Sequence, residues 1–372
     1  MRPSLEITLM SALMLAGCAT AVGVTPHLPQ GTVPVPSLAI ARVSVDPKTI
    51  DVRQQAVATI RYHLTHLAAV AIDVVDEKGR VVRQLDAGQP SAGMQQISWD
   101  GRTNDGLVVP DGVYRYIIHA HDRAGRHPVY DPSGDTGGEE LQPRDFTFDQ
   151  RTGRMQWVMP RAGRARLRVG IQGFPHLRTL LDWEPLEAGE QAIVWDGRDA
   201  SGFIQAIAHP NLSVKLSAFA LPDNTVIVRG ESASGVALSL GSATYPPEQK
   251  SSVAYLHARH PRAVCHETRL SIEFPAGTRT DDRGRPLLTG TVPVRVIVDP
   301  RDASHLVNSR FEVALYEDLT FLFEEEESVN PFTFLWDTTR LTSGEHLLTV
   351  NVLSYDDHYG VVTQPVVIEE RS

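Results

Sequence analysis

The sequence ISWDGRTNDG occupies residues 97–106 and returns as IVWDGRDASG at residues 193–202. Both copies contain Trp-Asp-Gly-Arg, and Trp195 follows Trp99 after 96 positions. This spacing is typical of tandem β-sandwich domains of about 100 residues. In each copy an apolar strand leads into the tryptophan, which we interpret as a core anchor whose ring N–H needs one partner. The following Asp-Gly predicts a tight turn with glycine at positive φ.

Alternating apolar residues surround both copies. In VAIDVVDEKGRVVRQL, which starts at Val70, the residues Val70, Ile72 and Val74 share one face of a predicted strand. Upstream of the second copy, ARLRVGIQGFPHLRTLL alternates in the same way. Period-two alternation separated by glycine-containing turns predicts half-buried antiparallel strands.

A third segment of this kind lies near the C-terminus. PFTFLWDTTRLTSGEHLLTV runs from residue 331 to residue 350 and places Trp336-Asp337 before a turn and a long alternating stretch. Earlier apolar runs at residues 292–300 and 311–327 supply further strands. The sequence therefore predicts an all-β fold of three tandem Ig-like or fibronectin-like β-sandwiches.

Residues 40–125 resemble the Ig-like domain of the flagellar hook-capping protein. The resemblance is carried by ATIRYHLTHLAAVAIDVVDEKGRVVRQL, by SAGMQQISWDGRTNDG and by VVPDGVYRYIIHAHD, in that order. The second copy keeps WDGR but lacks the Pro-Asp-Gly-Val-Tyr turn. No segment resembles the helical N-terminal region of a hook cap. The resemblance therefore implies a fold and an assembly module, and it does not imply the flagellar role.

These observations predict a division of the chain into six parts. The parts are a signal peptide at 1–17, a lipidated cysteine with a proline-rich linker at 18–38, a first Ig-like domain at 39–128, a second at 142–230, an irregular connector at 231–284 and a third Ig-like domain at 285–372.

The N-terminal sequence LMLAGCAT ends an apolar run that is too short to span a bilayer as a helix. Leu15-Ala16-Gly17-Cys18 resembles the lipobox of bacterial lipoproteins, which implies cleavage before Cys18 and acylation of its thiol. Ala19, rather than an aspartate, follows the cysteine, which by the same resemblance favours the outer membrane. The alternative is an ordinary cleaved signal that happens to contain a cysteine.

Composition excludes several classes of function. The chain has a net charge of −10 and contains no block rich in lysine and arginine, so no nucleic-acid partner is predicted. If lipid consumes Cys18, Cys265 has no intramolecular disulfide partner. No G-x-S-x-G, H-E-x-x-H or phosphate-loop motif occurs in a suitable context. We therefore predict no enzyme and no catalytic residues.

One cluster of potential ligands stands out. His257, His260, Cys265 and His266 lie within ten positions, and such side chains suit zinc, copper or iron. Their H-x2-H-x4-C-H spacing matches neither a zinc finger nor a haem attachment site. Three interpretations stay open: a solvent-facing loop, a metal site, or a contact to a partner, made either as an axial ligand of its haem or through the cysteine. No cofactor belonging to the protein itself is predicted.

The predicted function is a membrane-anchored scaffold or adaptor that holds a protein partner, which the sequence does not name, in a cell-envelope or extracellular assembly. One alternative is a surface adhesin or glycan-binding module, in which Tyr114, Tyr116, Tyr245 and Tyr255 would be the relevant aromatic residues. Another is an accessory protein of a multihaem cytochrome complex, which depends on the histidine and cysteine cluster.

Overall fold

The computed structural model describes residues 37–173, 175–230, 267–306, 310–354 and 358–370. Strands dominate these ranges, and the one α-helix found within them is Pro300–Leu306. Short 3-10 turns occur at Val52–Gln54, Pro132–Gly134 and Thr338–Arg340. The strands form β-sandwiches around three separate buried cores. The all-β prediction is confirmed.

The first sandwich opens with seven strands. They are β1 (Ile40–Asp46), β2 (Thr49–Asp51), β3 (Ala58–Val75), β4 (Val81–Asp86), β5 (Ser91–Trp99), β6 (Gly112–His121) and β7 (Val129–Tyr130). Strand β3 is long enough to serve both sheets. Its first half pairs with β1 and β5, and its second half pairs with β4 and β6.

The second sandwich follows directly. Its strands are β8 (Glu140–Leu141), β9 (Arg144–Asp149), β10 (Arg154–Met159), β11 (Gly163–Ile171), β12 (His176–Leu186), β13 (Gly189–Val194) and β14 (Leu212–Ala220). One sheet has the order β13-β10-β9 and the other β12-β11-β14-β8. Met155, Trp157 and Trp195 fill the core between the sheets, where alternation places every second side chain.

Strand β15 (Val226–Arg229) returns the chain to the first sandwich. It pairs antiparallel with β6 and parallel with β2. The side chains of Val226 and Val228 are buried in the first core beside Trp99. The second sandwich is therefore an insertion within the first, which differs from the predicted division at residues 39–128 and 142–230. The sequence places residues 226–229 beside their neighbours in the second domain, but their pairing partners lie more than 100 residues earlier, and strand periodicity does not indicate a partner at that distance.

The third sandwich has eight strands in the described ranges. They are β16 (Leu270–Glu273), β17 (Leu287–Leu288), β18 (Thr291–Val298), β19 (Phe311–Glu317), β20 (Thr320–Glu325), β21 (Phe332–Asp337), β22 (Gly344–Ser354) and β23 (Tyr359–Ile368). One sheet is β16-β18-β21 and the other is β17-β23-β22-β19-β20. Strand β16 lies inside the predicted connector 231–284 and pairs with β18, so this sandwich begins earlier than residue 285.

Candidate interaction surfaces

The predicted site residues Cys18, His257, His260, Cys265 and His266 lie outside the described residues. Lipid attachment and the metal or haem contact therefore stay predictions. Among the residues that the structure describes, no group of three or more His, Cys, Asp or Glu side chains is placed to hold a metal ion. In the same ranges no helix is both long enough and apolar enough to cross a membrane.

Two of the aromatic residues considered for glycan binding are core residues. Tyr114 is 4% exposed and Tyr116 is 1% exposed. The Tyr114 hydroxyl donates to the Pro110 carbonyl at 2.8 Å, and its ring lies 5.3 Å from that of Trp99. Burial raises the pKa of both phenols. Neither ring is available to stack on a sugar, while Tyr245 and Tyr255 lie outside the described residues.

The repeated WDGR sequence builds the same closed turn twice. The Trp99 ring N–H donates to the Arg102 carbonyl at 2.9 Å, and the Arg102 guanidinium donates to the Gly106 carbonyl at 2.8 Å. In the second copy, Trp195 donates to Arg198 at 2.8 Å, and the bond from the arginine is 2.9 Å. The indoles are 1% and 3% exposed. The repeat is therefore a structural device that anchors a strand end in the core, as predicted.

A second repeated turn was not recognised in the sequence. The pattern D-x-x-G-R occurs at residues 76–80, 122–126 and 281–285. In each case one carboxylate oxygen accepts from the N–H groups two and four residues later, and the other accepts from the arginine Nε at 2.6–2.7 Å.

These bonds favour the charged carboxylate. They lower the pKa of Asp122, chiefly through the Arg126 backbone N–H, and that of Asp281, chiefly through the Arg285 side chain. In each turn the aspartate carboxylate therefore finds its hydrogen-bond donors, and the arginine Nε its acceptor, within the same five residues. These turns are therefore hairpin closures, and they leave little spare charge for a ligand.

The second and third sandwiches meet through an unusually specific contact. The Asn351 Oδ1 atom accepts from the His176 backbone N–H at 2.7 Å, and its Nδ2 atom donates to the His176 carbonyl at 2.9 Å. Beside this pair, the Arg168 guanidinium lies 3.6 Å from the centre of the Tyr359 ring. A cation over an aromatic face is stabilising, more so when water is excluded.

Strand β12 also connects to both neighbours. An Asp182 carboxylate oxygen accepts from the Glu267 backbone N–H at 2.5 Å, which ties β12 to the start of the third sandwich. Three residues later, the Pro185 carbonyl accepts from the Arg229 guanidinium at 2.5 Å, which ties β12 to β15 of the first. All three sandwiches are therefore joined within one short stretch of one strand, residues 182–185.

A partly buried ion pair completes the contact between the first and second sandwiches. The Arg164 guanidinium binds Glu77, which lies in the first D-x-x-G-R turn, and also donates to the Trp183 carbonyl. Burial lowers the pKa of Arg164 to about 10, and Glu184 partly offsets this effect. The guanidinium therefore stays charged at neutral pH. Removing its partner would leave a buried charge, which is costly, so this contact fixes the geometry of the junction.

In the third sandwich, the outermost strands of the two sheets, β20 and β21, lie next to each other. We call the surface that these two strands form the β20–β21 edge. Each strand pairs on one side only among the described strands. The Phe323 ring of β20 stacks on Phe334 of β21 at 4.8 Å, which closes the sandwich between them. Outside this stack, Phe321 is 51% exposed and Leu335 is 64% exposed. An unpaired edge with apolar side chains can accept a strand from another protein.

The comparisons with known proteins agree with this architecture. Residues 48–123 match the family model described as the FlgD Ig-like domain. The predicted resemblance is confirmed. Over 51 residues the chain is 43% identical to the basal-body rod modification protein FlgD of Salmonella typhimurium and 39% identical to that of Escherichia coli K12. The aligned part is 14% of this chain and 22% of those relatives. Ig-like domains are typically non-catalytic interaction modules.

Solved structures give a weaker comparison. The fibronectin(III)-like modules of Clostridium thermocellum CbhA cover 89% of this chain at 8% identity, with a TM-score of 0.20 and 98% of their own length aligned. A bacterial ice-binding adhesin covers 90% at 10% identity, again with a TM-score of 0.20 and 99% of its length aligned. Likeness at this level assigns no role to the chain.

Proposed function

We propose that the protein is a non-enzymatic, membrane-anchored scaffold or adaptor that supports a cell-envelope assembly through its Ig-like sandwiches. The observation that carries this proposal is the pair of bonded junctions at β12, which joins the three sandwiches within one compact unit. Sandwiches joined in this way present their edges at set positions, which suits a scaffold better than a flexible tether would.

We propose that a lipid on Cys18 anchors the protein to the membrane. Leu15-Ala16-Gly17-Cys18 resembles a lipobox, and the proline-rich stretch after it suits a spacer between lipid and folded domains. The FlgD relatives are named for modification of the basal-body rod, but the chain spans only 22% of their length. We therefore propose an assembly role in the outer membrane without proposing a flagellar one.

The surface that we propose for the partner is the β20–β21 edge. Among the described strands, β21 pairs only with β18 and is the last strand of its sheet, and Leu335 projects into solvent from it. A partner strand that adds to β21 gains main-chain hydrogen bonds, while Phe321 and Leu335 supply apolar contact. Neither alternative function gains a specific observation: two of the aromatics needed for glycan binding are buried, and the histidine cluster lies outside the described residues.

The test is a crosslinked pull-down of the full-length lipidated protein from detergent-solubilised outer membranes. A Cys18→Ser form tests the anchor, and a Phe321→Ser form tests the β20–β21 edge. Phe203→Ser is the matched control, because Phe203 is 56% exposed but lies on the second sandwich. We expect one stoichiometric partner, lost with Cys18→Ser and weakened by Phe321→Ser but retained with Phe203→Ser. Capture of no partner, together with binding of glycans by the purified protein, would overturn the proposal.

A further inference from the structure

Strand β11 carries three arginine side chains on one face. Because successive side chains of a strand point to opposite faces, Arg164, Arg166 and Arg168 all lie on the side away from the core residue Leu167. Arg166 is 4% exposed and Arg168 is 8% exposed. A chain with a net charge of −10 therefore concentrates positive charge on this one face.

The guanidinium of Arg168 is buried without an oxygen acceptor. The Arg164 guanidinium binds Glu77, but in the part of the chain that the structure describes Arg168 forms neither a hydrogen bond nor an ion pair. Its contact is with the Tyr359 ring, whose centre lies 3.6 Å away. This contact leaves the five N–H donors of the guanidinium unused. Burying a cation with unused donors is unfavourable, which indicates that a ligand completes the group.

A second cation lies directly beside Arg168. Strands β11 and β14 are antiparallel, and Lys215 of β14 is the residue opposite Arg168. Opposite side chains share a face, with their Cβ atoms about 4.5–5.5 Å apart, and two like charges placed in this way are destabilising. Lys215 is exposed and has no ion-pair partner within the described ranges. An anion bound between the two side chains would turn their repulsion into attraction.

Hydroxyl groups flank this pair of cations. Ser213 and Ser217 lie two residues before and after Lys215, so both are on its face of β14, and Ser217 is opposite Arg166. A guanidinium can bind a phosphate or sulfate through two parallel N–H···O bonds, while an ammonium and hydroxyls add single bonds. The grouping of these side chains therefore suits a tetrahedral oxyanion.

Both the second and the third sandwich fix the position of the group. Arg168 belongs to the second sandwich and Tyr359 to the third, so the ring holds the guanidinium at the border between them. On the β12 side the third sandwich is bonded to His176. On the β14 side Ser213 and Lys215 are exposed. An anion can therefore reach the group from β14, and a side chain held in place before binding loses little entropy.

We propose that Arg168 and Lys215, together with Ser213 and Ser217, form a binding site for a phosphate or sulfate group at the border between the second and third sandwiches. We call it the Arg168–Lys215 site. A free ion and the phosphate of a lipid headgroup share this chemistry. The inference goes beyond the scaffold function, and it holds whether or not Cys18 carries a lipid.

Thermal unfolding of the full chain in a Cys18→Ser background tests the site with inorganic phosphate. Phosphate is compared with chloride at equal ionic strength and neutral pH, which keeps general screening constant. We expect phosphate to raise Tm, because a ligand that binds only the folded state stabilises it. Phosphate also stabilises folded proteins in general. The rise that belongs to the site is therefore the part that Lys215→Ala removes and the matched variant Lys78→Ala, at another exposed lysine, retains.

Two further variants test the roles of the cations. Arg168→Lys keeps the charge but loses the paired donors, so it should weaken the apparent affinity for phosphate about tenfold or more. Lys215→Glu places a carboxylate opposite Arg168, which is a stabilising arrangement. It should raise Tm without phosphate and abolish the response to phosphate. A Lys215→Glu chain with a lower Tm, or a phosphate response that Lys215→Ala leaves unchanged, would overturn the proposal.

Vesicles distinguish the two sources of the phosphate group. The same Cys18→Ser chain is mixed with phosphatidylcholine vesicles, with and without phosphatidic acid, and bound protein is measured by flotation. Binding that requires phosphatidic acid and is lost with Lys215→Ala assigns the site to a lipid headgroup. A response to inorganic phosphate alone assigns it to the free ion. A chain that responds to neither probe would show that the Arg168–Lys215 site binds no phosphate group.

Discussion

Asn351 binds the backbone of His176 with both atoms of its amide, accepting from the N–H at 2.7 Å and donating to the carbonyl at 2.9 Å. The side chain thereby takes the place of a neighbouring strand at the first residue of β12. This reciprocal contact joins two sandwiches that lie 175 residues apart in sequence at these positions. A backbone group satisfied in this way is expensive to leave unpaired if it stays buried.

Asn351→Asp is expected to loosen the junction between the second and third sandwiches. The substitution keeps the shape of the side chain but replaces the donor to the His176 carbonyl with a carboxylate oxygen. We expect a loss of about 1–2 kcal/mol in the free energy of unfolding, measured by urea denaturation of the full chain. Labels on the two sandwiches should also report a wider distribution of distances. An unchanged distribution would show that the pair does not hold the junction.

Gly153→Ala is expected to destabilise the second sandwich strongly. Gly153 has φ of +70°, and an added Cβ would lie 1.9 Å from the Trp195 carbonyl oxygen, so the backbone must move. The free energy of unfolding should fall by about 3 kcal/mol or more. Gly202→Ala is the matched control, because Gly202 has φ of +79° but open space around it. Its expected loss is about 1 kcal/mol, from backbone strain alone. Similar losses for both variants in thermal unfolding would contradict the steric explanation.

The third sandwich is expected to lose stability as the pH rises above the unfolded pKa of histidine, about 6.5, because of His346. Burial lowers the pKa of this imidazole. Hydrogen bonds to Asp318 at 2.6 Å and to the Thr342 carbonyl at 2.9 Å raise the pKa by more than burial lowers it, so the net shift is upward. A folded-state pKa above the unfolded value gives stabilisation that is complete below the unfolded pKa and lost as pH rises through the folded one. His346→Gln should flatten this part of the pH profile. A profile that keeps the same slope would assign the effect to another group.

The D-x-x-G-R turns are expected to be sensitive to acid. In the Asp122 turn the charged carboxylate binds two backbone N–H groups and Arg126, and its pKa is lowered. This stabilisation is present above the unfolded pKa of about 3.9 and is lost as pH falls through the lower folded value. Asp122→Asn should lower Tm at pH 7 and reduce the loss of stability that the protein shows as the pH falls below about 3.9. Asp105→Asn, at an exposed aspartate of the same sandwich, should leave both unchanged.

Much of the fold could be predicted because its signals are local. Trp99 and Trp195 occur at strand ends, followed by Asp-Gly turns, and period-two alternation identifies the strands before them. The D-x-x-G-R turns were equally visible as a repeated pattern, since each turn is closed by bonds within five residues.

The junctions and the insertion could not be predicted in the same way. Val226–Arg229 has the composition of a strand, but nothing in these four residues indicates that β2 and β6 are its partners. Asn351 is an ordinary polar residue on the outward face of a strand until the third sandwich is placed against His176. Such contacts depend on the relative placement of domains, which periodicity does not encode.

The insertion also reverses the order in which these sandwiches can be completed during synthesis. Domains usually fold as the chain emerges, the N-terminal one first. Here β8 to β14 all precede β15, so the second sandwich has every strand before the first has its last. In a chain ending at Pro222, the second sandwich should resist proteolysis while the first is digested. Until residue 229 has been synthesised, β2 has no partner among the described strands, and the Ile50 side chain is not yet packed against Val228 of β15. We therefore expect the nascent chain to be most prone to aggregation before β15 is complete.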